Sequence, residues 1–240
     1  MEDNPLQYAH PPVSEAIFSV AFQEGLALAS IRAFCDLEWT KANYPVVIEL
    51  NDTAGEQSNS TTEPLGFGLR ATDGKTLLRF TTTQFSFHNL NTYLGWEANQ
   101  VAFLTAWQHV GSCCQPPIME YASIRYINKI NLGPVPTTGI ELGRYLKLLP
   151  DLPPDFPGEP GQFFLQVESI DEAAQLEAVV WQTVLGGDEI QPFYVMLDIS
   201  VRSSTGQAPP QLTEFLSQGR IFKNRMFESC ITPLTRTLFS

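Results

Sequence analysis

Basic residues are scarce in this sequence. Fourteen Lys and Arg stand against 26 Asp and Glu, which leaves a formal charge of −12. Phosphate recognition relies on cations, so nucleic acid is a disfavoured partner, and a basic protein surface is a better electrostatic match. Apolar runs long enough to span a bilayer are missing, and Met1–His10 lacks the pattern of a secretory signal. A soluble cytoplasmic chain without membrane attachment is therefore expected. The four cysteines, Cys35, Cys113, Cys114 and Cys230, form no C-x-x-C pair. Two adjacent thiols cannot both reach one ion without strain, which argues against zinc. No serine sits in a G-x-S-x-G elbow, and Gly66-Phe67-Gly68, followed by Leu69-Arg70, lacks phosphate-loop spacing. His10, His88 and His109 are scattered, and none advertises a nucleophile or carboxylate beside it. No cofactor, metal or catalytic residue is nominated on these grounds.

What is present is a folded composition: 240 residues, 43% apolar and 17% charged. Alternation predicts strands over Glu15–Phe22, Val46–Leu50, Gly66–Arg70, Thr76–His88, Ser123–Leu132, Phe163–Ile170, Leu176–Val184 and Phe193–Arg202. Asp73-Gly74 marks a hairpin, and the long Thr76–His88 arm is expected to bend or bulge at Thr81-Thr82-Thr83. Helical spacing predicts one helix from Leu28 to Asn43 and a second through Phe103, Trp107, Val110 and Cys114, ended by Pro116-Pro117. It predicts a third after Pro209-Pro210 with a stripe of Leu212, Phe215, Leu216, Gly219, Phe222 and Met226. A short helix is expected over Glu141–Leu149. Asn51–Pro64 and Asp151–Gly161 read as surface loops.

The fold expected is α+β. A mainly antiparallel sheet of seven or eight strands carries three long helices on one face. The order repeats, giving two pseudo-symmetric β-α-β-β-β-α halves, 1–118 and 119–240, within one domain. Shape analogies are the TATA-binding-protein-like and helix-grip folds, and shape alone carries no function.

Three motifs point to relatives. The opening Tyr8-Ala9-His10-Pro11-Pro12-Val13-Ser14-Glu15-Ala16 resembles the start of a sporadically distributed, uncharacterised bacterial family of about this length. Ile124-Arg125-Tyr126-Ile127-Asn128-Lys129-Ile130 is similar to that family's central strand, and Phe227-Glu228-Ser229-Cys230-Ile231-Thr232 to its last helix and exit. The resemblance implies a single full-length module. It implies no reaction, and it associates such chains with bacterial defence or mobile-element systems.

Candidate binding residues are Glu15, Arg125, Asn128, Lys129 and Asp198. Pro11-Pro12 before Glu15 could set an acid at a pocket mouth, or could simply straighten the chain before an edge strand, which is the expected arrangement. Glu15 could also reach Arg125 if the first strands of the two halves are neighbours. Arg125 and Lys129 share one strand face, while Tyr126 and Asn128 share the other. The two cations could grip a carboxylate or phosphate. The plainer expectation is that they pair with Glu168, Glu177 or Asp198 on adjacent strands.

The function expected is a non-catalytic binding module with a protein partner, with a homodimer compatible. The alternative is a helix-grip pocket for a small molecule or a reaction, oriented by Arg125 or Asp198. A third reading takes Arg220, Lys223, Arg225 and Arg236 as a local basic patch for nucleic acid.

Overall fold

Side chains alternating with period two drive nine strands into one antiparallel sheet, ordered β2-β3-β4-β5-β1-β6-β9-β8-β7. The strands are β1 (Val13–Phe22), β2 (Val46–Leu50), β3 (Gly66–Arg70), β4 (Thr76–Thr81), β5 (Gln84–Leu90), β6 (Met119–Pro134), β7 (Phe164–Asp171), β8 (Leu176–Leu185) and β9 (Pro192–Ser203). Among the described residues five helices accompany them: α1 (Leu28–Asp36), α2 (Glu38–Asn43), α3 (Trp96–Cys113), α4 (Leu212–Cys230) and α5 (Pro233–Arg236). This computed structural model describes residues 8–51, 63–114, 118–134, 141–153, 155–157, 163–186, 191–204, 209 and 211–240. Most of the Asn51–Pro64 loop, parts of Asp151–Gly161, and Pro116, Pro117 and Pro210 lie outside the described residues. The chain divides into two compact units. The first is Glu15–Ile124 with Ser203–Leu212, and the second is Met1–Ser14, Arg125–Arg202 and Thr213–Ser240.

In the first unit, Phe18 of β1 lies 5.3 Å from Trp96 and 5.6 Å from Phe103 by ring centroids, so α3 seals this sheet face with aromatics. Trp96, Asn99, Phe103, Ala106 and Val110 form the buried stripe of α3, at alternating three- and four-residue spacing. Phe34 of α1 meets Phe80 at 5.3 Å and Phe85 at 5.9 Å. The predicted Leu28–Asn43 helix is broken: Leu37 adopts an extended ψ of 140°, which separates α1 from α2. The predicted hairpin at Asp73-Gly74 is present. Gly74 has φ +69°, and the Asp73 carboxylate accepts from the Lys75 N–H.

The single arm predicted over Thr76–His88 is instead two strands, β4 and β5, which raises the strand count to nine. The Thr81 hydroxyl closes the turn, accepting from Gln84 N at 3.1 Å and donating to Gln84 O at 3.2 Å. The reversal puts Phe80 opposite Phe85 with both rings buried, which repays the turn.

In the second unit, Tyr126, Asn128 and Ile130 of β6 are buried with Val195, Leu197, Ile199 and Val201 of β9 and Ala178, Val180, Gln182 and Val184 of β8. Helix α4 buries Phe215, Leu216, Gly219, Lys223, Phe227 and Cys230. The predicted stripe therefore drifts: Phe222 and Met226 are half-buried, and Lys223 and Phe227 take their places inside. The helix expected over Glu141–Leu149 shrinks to one 3₁₀ turn at Leu142–Arg144. The backbone that a longer helix would need is engaged elsewhere. Leu146 bridges Ile231, Tyr145 O accepts from Thr232 N, and Lys147 N donates to Cys230 O. Among the described residues only α3, with 18 residues, and α4, with 19, are long, so the expectation of three long helices is corrected to two there.

The prolines before β1 also need correcting. The sheet order places β1 between β5 and β6, so Pro11-Pro12 do not introduce an edge strand. They precede Val13, outside the ladder, and the Pro12 carbonyl accepts from Lys129 N at 2.8 Å.

Candidate functional site

The second unit carries a sheet face of charged and aromatic side chains at its centre. Alternation along β6 turns Arg125, Ile127 and Lys129 away from the buried Tyr126 and Asn128. Arg125 Nε donates to Asp198 Oδ1 at 2.9 Å and Nη2 to Oδ2 at 2.6 Å, a bidentate pair from β6 to β9. The guanidinium also lies 5.5 Å from the centre of the Trp181 ring. Trp181 Nε1 donates to Gln166 Oε1 at 2.9 Å, and Gln166 Nε2 donates to Glu168 Oε1 at 3.0 Å. Lys129 Nζ stands 4.0 Å from the Tyr194 ring centre. Arg202 pairs with Glu177 at 2.6 Å.

Two nominated residues thus meet, Arg125 with Asp198, and Lys129 shares their face. Asn128 sits on the opposite, buried face, where its Nδ2 donates to Leu197 O at 2.9 Å. That bond stitches β6 to β9 through a side chain and leaves Asn128 away from the two cations. The Arg125 side chain is 45% exposed, so solvent screens its pair with Asp198. Asp198→Asn is therefore expected to lower stability by at most about 1 kcal/mol in urea unfolding. A larger loss would mean that the pair is structural.

Glu15 belongs to the first unit. Its Oε1 lies 2.8 Å from His88 Nδ1, and His88 Nε2 lies 2.9 Å from Ser86 Oγ. Strand register builds this line. Ser86 and His88 alternate on one face of β5, Ser19 stands opposite Ser86, and Glu15 is diagonal to His88 on β1. Ser19 Oγ is in turn 2.6 Å from Ser123 Oγ. Sequence reading set His88 aside for want of a nucleophile or carboxylate beside it and did not weigh Ser86. The Ser-x-His spacing put both on one face, but only the β1–β5 register supplies the carboxylate.

Of the four cations in the nucleic-acid reading, Lys223 and Arg236 are engaged within the fold. Lys223 is buried on α4, its Nζ bonded to Asn224 Oδ1 at 2.7 Å and 3.9 Å from the Tyr126 ring centre. Burial, with Arg220 adding like-charge repulsion, pushes its ammonium down to about 7. Arg236 is committed to Glu228 at 2.6 Å. Burial also raises the thiol of Cys35 to about 11 and of Cys114 to about 12, so neither is a ready thiolate. Among the described residues no group of three or more His, Cys, Asp and Glu could hold a metal ion, and no described helix is long and apolar enough to cross a membrane. Comparison with family models and with curated proteins found no match for this chain.

Proposed function

We propose that this chain is an interaction module that offers the face bearing Arg125, Trp181, Tyr194 and Asp198 to a protein partner. The observation that carries this reading is the arrangement of planar side chains held in place by their neighbours: Arg125 by Asp198 and Trp181 by Gln166. Trp, Tyr and Arg supply most of the energy at protein interfaces, and side chains fixed in advance lose less entropy on binding. The charge of −12 favours a basic partner and speeds its approach. The scaffold is read as two halves of like element order, each β-α-β-β-β-α, with a TATA-binding-protein-like or helix-grip analogy. The order of the sheet supports them: β1 adjoins the last strand of the first meander, β5, as β6 adjoins the last of the second, β9. The family resemblance favours a cytoplasmic bacterial setting linked to defence or mobile elements.

Trp181→Ala and Arg125→Ala are each expected to weaken partner capture by about 30-fold, the effect of losing roughly 2 kcal/mol. Affinity capture followed by titration calorimetry against the captured chain tests this. A monomer at micromolar concentration that retains no chain, or capture indifferent to both substitutions, overturns the reading; self-association narrows the partner to a second copy. A small-molecule pocket of helix-grip type is the second reading, favoured by the buried Lys223 ammonium beside Tyr126. Native mass spectrometry showing a stoichiometric bound compound would select it.

A further inference from the structure

We propose that Ser86, His88 and Glu15 form a nucleophile, base and orienting acid that cleave small esters. The inference goes beyond the binding face and uses none of its residues. An ionised carboxylate only accepts, so Glu15 Oε1, at 2.8 Å, places the imidazole proton on His88 Nδ1. Nε2 is then the acceptor, and the Ser86 hydroxyl at 2.9 Å donates to it. This is the line that activates a serine by general base catalysis, recognised by geometry and independent of fold or chain order. Three strand positions on one face define it, so the side chains start from a rigid scaffold.

The neighbouring strand contributes a cation. Arg79 of β4 is register-paired with Ser86, on the same face and exposed, with Cβ atoms about 5 Å apart in such a pair. In the proposed reaction it is the cation that meets negative charge growing on a carbonyl oxygen. Ser86 is 4% and His88 8% exposed, which restricts the site to slim acyl groups such as acetyl.

The steps balance without a co-reactant other than water. Ser86 Oγ bonds to the carbonyl carbon as its proton passes to His88 Nε2. The bond from that carbon to the alcohol oxygen breaks, and the alcohol leaves with the proton from Nε2. Water then attacks the acyl-Ser86 carbon and gives a proton to Nε2. The carbon–Oγ bond breaks, Oγ regains the proton, and the acid is released.

The test uses the full chain with excess p-nitrophenyl acetate, read by the burst of p-nitrophenolate and by peptide mapping of the acetylated residue. One acetyl group on Ser86 is the expected result, absent in Ser86→Ala. His88→Gln and Glu15→Gln, checked for fold by circular dichroism, should slow acetylation by about 100-fold. Wild-type chain that stays unmodified at Ser86, or is acetylated only on lysines, overturns the proposal. So does labelling of Ser86 that is undiminished in folded His88→Gln.

Discussion

Gly66→Ala is expected to lower the thermal midpoint by roughly 6–12 °C, the equivalent of about 3 kcal/mol in a chain of this size. A Cβ at position 66 would lie 2.1 Å from Phe80 O and 2.6 Å from Thr81 Cα. Both atoms are backbone of β4, the strand with which β3 pairs through Gly66↔Thr81 and Phe67↔Phe80. A flexible side chain could swing aside, but a hydrogen-bonded strand cannot without losing its ladder. Relief requires β3 to lift from β4, and that exposes the buried Phe67 and Leu69. Gly68 is the internal control, two residues on in the same strand. Its added Cβ would meet nothing nearer than Leu50 Cδ2 at 3.7 Å, an ordinary contact. Gly68→Ala should therefore stay within about 1 kcal/mol of the parent. Differential scanning calorimetry of the two variants decides the matter, and equal midpoints would refute the argument.

The same strand shows what could be read from sequence. The sequence located β8 and β9 to within one residue because buried and half-buried positions alternate along them, whereas β2 and β3, found to the residue, were marked by a short apolar run and by the Asp73-Gly74 turn and do not alternate in burial. The β4–β5 reversal escaped because its closing group is the Thr81 hydroxyl, in a run where no Gly or Asn marks a turn. The Glu141–Leu149 helix failed for the opposite reason: local spacing favoured it, and pairing with the distant Ile231 and Thr232 overrode it. The stripe of α4 was misjudged at Lys223 because a cation is assumed to face water, whereas here the side chain is buried and its head meets the Tyr126 ring. The sites divide along the same line. Pairing of Arg125 with Asp198 was legible as one of three cross-strand options, since face alternation limits the candidates. The Glu15–His88–Ser86 line depends on the register between strands some seventy residues apart in sequence, which composition and spacing do not encode.

Lys223→Met should stabilise the chain by about 3 kcal/mol at neutral pH and remove most of a pH dependence that the parent displays. The physical cause is desolvation. The Lys223 head is buried, with Asn224 Oδ1 and the Tyr126 ring as its near groups and the Arg220 cation opposing it. Its proton is held at about 7 in the folded chain against 10.5 in the unfolded one. Between those values the unfolded chain binds the proton and the folded chain does not, so the stability of the parent rises with pH across that window. The full penalty operates below about pH 7 and fades as pH approaches 10.5. The ring face offsets only part of the cost of burying the ammonium, about 2 kcal/mol, so removing the charge is a net gain. A methionine keeps the apolar stem and places a thioether against the Tyr126 ring, a swap of the kind that stabilises buried sites by about 1–4 kcal/mol. Urea unfolding at pH 7 and pH 9.5 measures both effects. The parent should gain stability between the two conditions, and Lys223→Met should begin higher and change little. A variant less stable than the parent at both values would show that the buried ammonium holds α4 against β6 and is not a burden on it.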